Sequence, residues 1–229
     1  MGSLNAVVPK CVGIILDGNR RWAKKKGLPP LEGHRRGFLN IEPNILFARD
    51  TGIKHVVVYA FSTENWNRTK EEVSYLMRLF EEMAKRFSIR LAKERVAVRF
   101  VGQRERFSKR LQQLMANAEY KSQKNPDLTL WVCLSYGGRA EIVKATKAVV
   151  KTGGEITEES IGNNLWTKGM PDPEIVIRTS SEYRTSNFLV WQSVYSELFF
   201  PKVFWPEFSK NHFKAILKEY SNRKRRFGK

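Results

Sequence analysis

Five apolar runs at wide intervals do most to limit what this chain can fold into. They are "KCVGIILD" (10–17), "KHVVVYAF" (54–61), "VAVRFVG" (96–102), "LTLWVCLSYGG" (128–138) and "PEIVIRTS" (173–180). Each is rich in β-branched and aromatic residues and nearly continuous in its apolarity, the pattern of a strand buried on both faces. Segments with helical spacing lie between them. Strands alternating with helices imply a parallel sheet covered on both sides. The expected fold is a single α/β domain over 1–229, with a mainly parallel central sheet of about six strands and tails at 1–9 and 224–229.

The intervening segments are expected as follows. Residues 19–26 read as helical. "GLPPLEGHRRG" (27–37) is punctuated by Pro and Gly and reads as a loop, with a helix following to about Asp50. Pro43 should kink that helix or move its start. A longer helix runs from about Lys70 to Glu94, with Val73, Leu76, Met77, Phe80, Met83, Ala84 and Phe87 forming one apolar stripe. "FLVWQSVYSELFF" (188–200) reads as helical and leads to a short edge strand near Val203. A last helix runs from Phe208 to about Arg223.

Composition narrows the function less sharply. With 41 Lys and Arg against 23 Asp and Glu the net charge is +18, which suits an anionic partner without choosing among nucleic acid, lipid and phosphorylated substrate. No run approaches the roughly 20 apolar residues that span a bilayer, and the opening "MGSLNAVVPK" lacks the apolar core of a signal peptide. A cytoplasmic protein is expected, with peripheral contact at a membrane. Cys11 and Cys133 sit in apolar runs without metal-ligand spacing and read as buried and reduced.

In a parallel sheet, ligands bind beyond the carboxyl ends of the strands. The residues there are concentrated in type. Asp17, Gly18, Asn19, Arg20 and Arg21 follow the first strand, and Ser62 to Arg68 follow the second. Arg178, Arg184, Ser186 and Asn187 end or follow the fifth. Several Arg among hydroxyl, amide and backbone donors suit phosphate oxygens, and the helix opening near Asn19 adds free N–H groups. Asp17 is out of place in an anion site unless it holds a divalent cation bridging to phosphates.

At this point a resemblance emerges. "ILDGNRRWA", "GHRRG", "VYAFSTENWNR", "YGGR" and "IRTSSEYRTSNFLVWQSVYSELFF" occur in the order found in cis-prenyltransferases, the undecaprenyl diphosphate synthase family, and the match runs from Lys10 to Gly228. The resemblance implies a homodimer and Mg²⁺-dependent condensation of isopentenyl diphosphate with an allylic prenyl diphosphate, giving a cis-polyprenyl diphosphate. It implies Asp17 and Glu197 as metal ligands, Asp17 and Asn65 as catalytic, and Asn65 as the position of proton removal. Gly18, Asn19, Arg20, Arg21, Trp22 and His34 resemble the allylic diphosphate cradle. Ser62, Thr63, Glu64, Trp66 and Arg68 match the loop that closes over the reacting ends. Arg178, Arg184, Thr185 and Ser186 match the isopentenyl diphosphate site, and Arg226-Phe227-Gly228 resembles an element reaching the neighbouring subunit. The sequence departs from the family at Pro30, where many relatives carry Arg.

The chemistry asks for the same residue types. Ionising an allylic diphosphate needs cations at the leaving group, while its hydrocarbon needs a dry channel. The helix at 70–94 facing the strands is expected to form that apolar channel between sheet and helices, with Met83 and Phe87 towards its floor. A basic nucleic-acid-binding module is the rival reading. It gives no reason for Asp17, Glu197 or the long apolar helix, so no nucleic-acid partner is expected.

Overall fold

The computed structural model describes residues 8–122 and 124–223. Six strands form one sheet: β1 (Cys11–Ile15), β2 (His55–Ser62), β3 (Val96–Val101), β4 (Leu128–Tyr136), β5 (Ile175–Arg178) and β6 (Glu197–Phe199). Their order is β3-β4-β2-β1-β5-β6 and every pairing is parallel. The helices are α1 (Asn19–Lys25), α2 (Pro30–Leu39), α3 (Ile41–Asp50), α4 (Lys70–Lys93), α5 (Lys109–Ser122), α6 (Gly138–Lys151), α7 (Glu158–Gly162) and α8 (Lys210–Asn222).

Side chains alternate across the strands, so each run serves two cores. Val12, Ile14, Val56, Val58, Val98 and Leu130 face the larger core, packed by α3, α4, α5 and α8. Cys11, Val57, Tyr59, Trp131 and Val176 face the smaller one, closed by Phe188 and Leu189. α4 contributes Leu76, Leu79, Phe80, Met83, Ala84, Phe87 and Leu91 as its buried stripe. Each of the larger of these, fully buried, contributes roughly 1.5–3 kcal/mol, which holds the long helix to the sheet.

Two expected elements differ. The segment expected as a loop over 27–37 turns helical at Pro30, because Pro fits the first helical position, where its missing N–H has no partner to lose. Pro43 then falls in the first turn of α3 and sets a new start after Asn40 instead of kinking one long helix. The segment at 188–200 is not a helix: positive φ values at Asn187 (66°) and Leu189 (47°) break helical geometry, and turns lead straight into β6. The edge strand therefore lies at Glu197–Phe199, earlier than Val203. In this segment Phe188 and Leu189 are fully buried, whereas Val194 and Tyr195 are exposed.

The carboxyl ends of β1, β2 and β5 meet where the strand order reverses. Ile15 pairs with Tyr59 on one side and Arg178 on the other. That register brings the polar segments after three strands to one rim.

Candidate functional site

A cavity of about 530 Å³ opens at this rim, walled by Asp17, Glu64, Asn65, Arg68, Arg178 and Ser186 among others. A neighbouring hollow of about 290 Å³ is lined by Gly18, Asn19, Arg20, Arg21 and His34. Gly18 marks the turn between β1 and α1. Its φ is 99°, and a Cβ there would stand 2.6 Å from the Phe204 ring, so no other residue fits.

Asp17 is the electrostatic centre. Its Oδ1 accepts from the Gly18 N–H (2.6 Å) and Arg21 (3.1 Å), and its Oδ2 accepts from Arg178 Nη2 (2.8 Å) and Nε (3.2 Å). Burial pulls the carboxyl upward, but hydrogen bonding and charge from Arg178, with Arg21 and the Gly18 N–H, outweigh it and hold Asp17 below the usual carboxylate range. Thr179 Oγ1 accepts the Asp17 N–H (3.0 Å) and donates to its carbonyl (2.7 Å), fixing the backbone. Arg178 spends its other donors on the Arg184 carbonyl (2.7 Å) and Ser186 Oγ (2.6 Å). It therefore acts as a strut between strand ends, while Arg184 is exposed and reaches Glu182 (2.5 Å).

A second cluster forms around Glu72, which the sequence did not single out. This carboxylate is buried in the first turn of α4 and takes His34 Nε2 (3.0 Å), Arg68 (3.0 Å) and Arg20 (3.5 Å). The Arg68–Glu72 spacing of one helical turn was the signal available. Burial lowers the His34 pKa, and the nearby Arg68 and Arg20 charges add to this against the Glu72 contact.

The remaining expected residues separate. Ser62 and Asn65 bracket a short 3-10 turn, Thr63–Asn67, with the Ser62 N–H donating to Asn65 Oδ1 (3.1 Å). Thr63 lies against Gly137. Trp66 donates to Ser135 Oγ (2.8 Å) and packs on Phe61 and Phe107, and Trp22 is buried in α1; neither lines the cavity. The Thr185 carbonyl accepts the Phe188 N–H. Glu197 does not meet Asp17 within the chain. It stands opposite Ile175 at the start of β6, bonded to Arg223 (2.6 Å), whereas Asp17 lies past the far end of β1. Arg226-Phe227-Gly228 lies outside the described residues.

Among the described residues no three His, Cys, Asp or Glu side chains cluster as a metal cage. The donor set still fits a cation shared with a ligand: Asp17 is ionised at an open rim ringed by Arg, where one carboxylate plus diphosphate oxygens could hold Mg²⁺.

Deeper in, an apolar recess of about 50 Å³ adjoins the cavity between α2, α4 and β2, lined by Gly37, Phe38, Ile41, Leu79, Phe80 and Met83. It lies where the apolar channel is expected, between sheet and helices, and Met83 is among its lining residues. Phe87 is not; it is fully buried behind the recess, against Phe38 (ring centroids 6.3 Å apart).

Comparison with known proteins finds relatives over nearly the whole chain. A family model described as undecaprenyl diphosphate synthase matches residues 15–228. The isoprenyl transferase of Thermotoga maritima is 43% identical over 226 residues, covering 96% of this chain and 97% of that protein. That of Agrobacterium fabrum is 42% identical over 228 residues, covering 96% and 92%. Among solved structures, lavandulyl diphosphate synthase from Lavandula x intermedia in complex with dimethylallyl diphosphate superposes with a TM-score of 0.90 at 33% identity, covering 97% of this chain and 99% of that one. A probable undecaprenyl diphosphate synthase from Campylobacter jejuni gives 0.83 at 29% identity, covering 96% and 99%.

Proposed function

The chain belongs to the undecaprenyl diphosphate synthase family and is a prenyltransferase, and on that premise we propose that it condenses isopentenyl diphosphate with an allylic prenyl diphosphate, in a Mg²⁺-dependent reaction forming a cis double bond. One observation carries the reading: an Arg-ringed rim opens onto a recess lined by hydrocarbon. An ionisable head and an apolar tail on one substrate need that pairing.

The allylic diphosphate lies at Gly18, Asn19, Arg20 and Arg21, with Arg68 and the open amino end of α1 supplying donors to its oxygens. Isopentenyl diphosphate lies beside Ser186 and Arg184, whose exposed guanidinium is free to leave Glu182 for a dianion. The allylic C1–O bond breaks, the isopentenyl C4 bonds to C1, and a proton leaves C2 as the new double bond forms. Asp17 would hold Mg²⁺, which supplies neutralisation of the leaving diphosphate. The residues of this chain orient both diphosphates and keep water from the apolar end. Asn65 holds the turn after β2; proton removal there would require its bond to the Ser62 N–H to exchange. A homodimer is also part of the proposal, supported by the exposed Val194, Tyr195 and Leu198 beside the edge strand β6. Glu197 would then serve the site only across that contact. No helix among the described residues is long and apolar enough to cross a membrane; a peripheral membrane contact and a cytoplasmic location remain part of the proposal.

The test is incubation of the full chain with radiolabelled isopentenyl diphosphate, Mg²⁺ and allylic starters of increasing length. Chain-extended products lost on adding EDTA are expected. A salt-dependent nucleic-acid complex without prenyl transfer would favour the rival reading.

A further inference from the structure

Three rim loops meet at one side chain that no part of the proposed mechanism uses. Asn187 follows Ser186 in the loop after β5, lines the main cavity, and has a left-handed backbone (φ 66°). Its carbonyl accepts the Gly138 N–H (2.8 Å) and its Oδ1 accepts the Arg139 N–H (2.9 Å). α6 has no side-chain cap from its own Gly137, so Asn187 caps it from another loop. Its Nδ2 donates to Glu64 Oε1 (2.9 Å), on the turn after β2. The approach is tight: a Cβ on Gly137 would stand 2.6 Å from Thr63 Oγ1 and 2.7 Å from Asn187 Nδ2. Nearby, the Tyr59 hydroxyl donates to the Ser186 carbonyl (3.3 Å), and Arg178 donates to Ser186 Oγ (2.6 Å).

The residue type is specific to this arrangement. One amide accepts from a helix end through its oxygen and donates to a carboxylate through its nitrogen at once, which an ionised Asp cannot do. Burial lifts the Glu64 carboxyl, but its own N–H, Asn187, Ser62 and Thr63 bring it below its ordinary value, so it stays ionised and keeps accepting that bond.

We propose that Asn187 is a positioning residue: its amide ties the isopentenyl diphosphate loop to the turn carrying Glu64, fixing the spacing between the two sides of the site. This rests on the proposed reaction. Because Asn187 continues the loop of Arg184 and Ser186, its loss weakens use of isopentenyl diphosphate and leaves the allylic starter largely unaffected.

Asn187→Asp separates this role from folding. Asp keeps an oxygen for the Arg139 N–H and tolerates a left-handed backbone, but it cannot donate to Glu64 and sets a second carboxylate against it. Two carboxylates that close share a proton as pH falls, and the shared proton restores the bond. The charged and titratable groups on the same cavity are Asp17, His34, Tyr59, Arg68 and Arg178, with Arg139 at the capped helix end; all stay unchanged in the variant. Wild type and variant are compared with radiolabelled isopentenyl diphosphate, an allylic starter and Mg²⁺. At about pH 8 a roughly ten- to hundredfold rise in KM for isopentenyl diphosphate is expected, as for losing a hydrogen bond to a charged group. The rise should shrink towards about pH 6, with the starter KM unchanged. If the variant does not fold, Asn187→Gly keeps the backbone and should show the KM rise at every pH. An unchanged KM, or equal rises for both substrates, overturns the positioning role. A wild type that condenses nothing overturns the reaction itself, and the role with it.

Discussion

Asp17 at the rim and Met83 in the recess belong to adjoining hollows, yet the two regions are held by different forces. The rim is a lattice of directed bonds: Asp17 takes four donors, Glu72 takes two Arg and a His, and Arg178 links two strand ends. The recess is lined mainly by packed apolar groups such as Phe38, Phe80 and Met83, and shares the hydrogen-bonded Asn19 and His34 with the rim. Directed bonds fix where a charge sits. Packing fixes how much room is left. The first suits a diphosphate and the second a hydrocarbon tail, so chemistry should be lost by changing the rim and product length by changing the recess.

The largest effect expected is at Asp17. Asp17→Ala removes the acceptor that Arg178 and Arg21 share, and turnover should fall by roughly 10²–10³, the scale of losing one preorganised electrostatic group. Circular dichroism and single-turnover assays distinguish a dead site from an unfolded one. Full activity in EDTA, or in the variant, would sink the metal role.

Glu72→Ala comes next. It strips His34, Arg68 and Arg20 of a common buried partner, so stability should drop by about 1.5–3 kcal/mol, read as a lower denaturant midpoint. The Michaelis constant for the allylic starter should rise alongside it. A stability loss with unchanged kinetics would make Glu72 scaffolding alone.

This contrast also explains what the sequence disclosed. Rim residues announce themselves, because Asp, Asn and Arg at the end of an apolar strand are costly without a purpose, and their order in the chain is specific. The sheet was legible for a related reason: strands buried on both faces leave no polar alternation to blur them. Glu72 stayed hidden because a carboxylate in the first turn of a helix is ordinary, favoured by the helix dipole wherever it points. The recess stayed half hidden because a side chain lining a channel looks the same as one lining a core. Met83 lines the recess and Phe87 does not, yet both sit on one helical stripe, and Phe87 packs instead against Phe38. The helix at Pro30 and the turns at 188–195 were misread where apolarity and Pro were weighed without backbone dihedrals.

The recess offers a finer test. Met83→Ala either opens space for added five-carbon units or leaves a void in the core. In the first case products lengthen by about one unit with little change in melting temperature. In the second, products stay the same and stability falls by roughly 2–5 kcal/mol. Phe87→Ala is the control, since it lies behind the recess, and it should only destabilise. Longer products from Phe87→Ala and none from Met83→Ala would reverse this assignment.

The smallest expected effect joins the two regions. His34 belongs to the rim by its bond to Glu72 but lines the recess as well, and is nearly as buried as its apolar neighbours. Its folded pKa lies below the ordinary 6.5, chiefly from burial, while in the unfolded chain it titrates near that value. Below 6.5 the unfolded chain therefore binds a proton that the native state refuses. Stability rises with pH wherever the unfolded state holds more protons, so it should fall as pH drops from 6.5 towards the folded value. Asp17 cannot produce this slope, since its lowered pKa sets a window below 3.8. His55 adds a parallel slope through its own burial. His34→Gln should therefore flatten the melting-temperature profile between about pH 7 and pH 5 in part. An unaltered profile would mean that His34 meets water as freely in the folded chain as in the unfolded one, and that the rim does not close over the mouth of the recess.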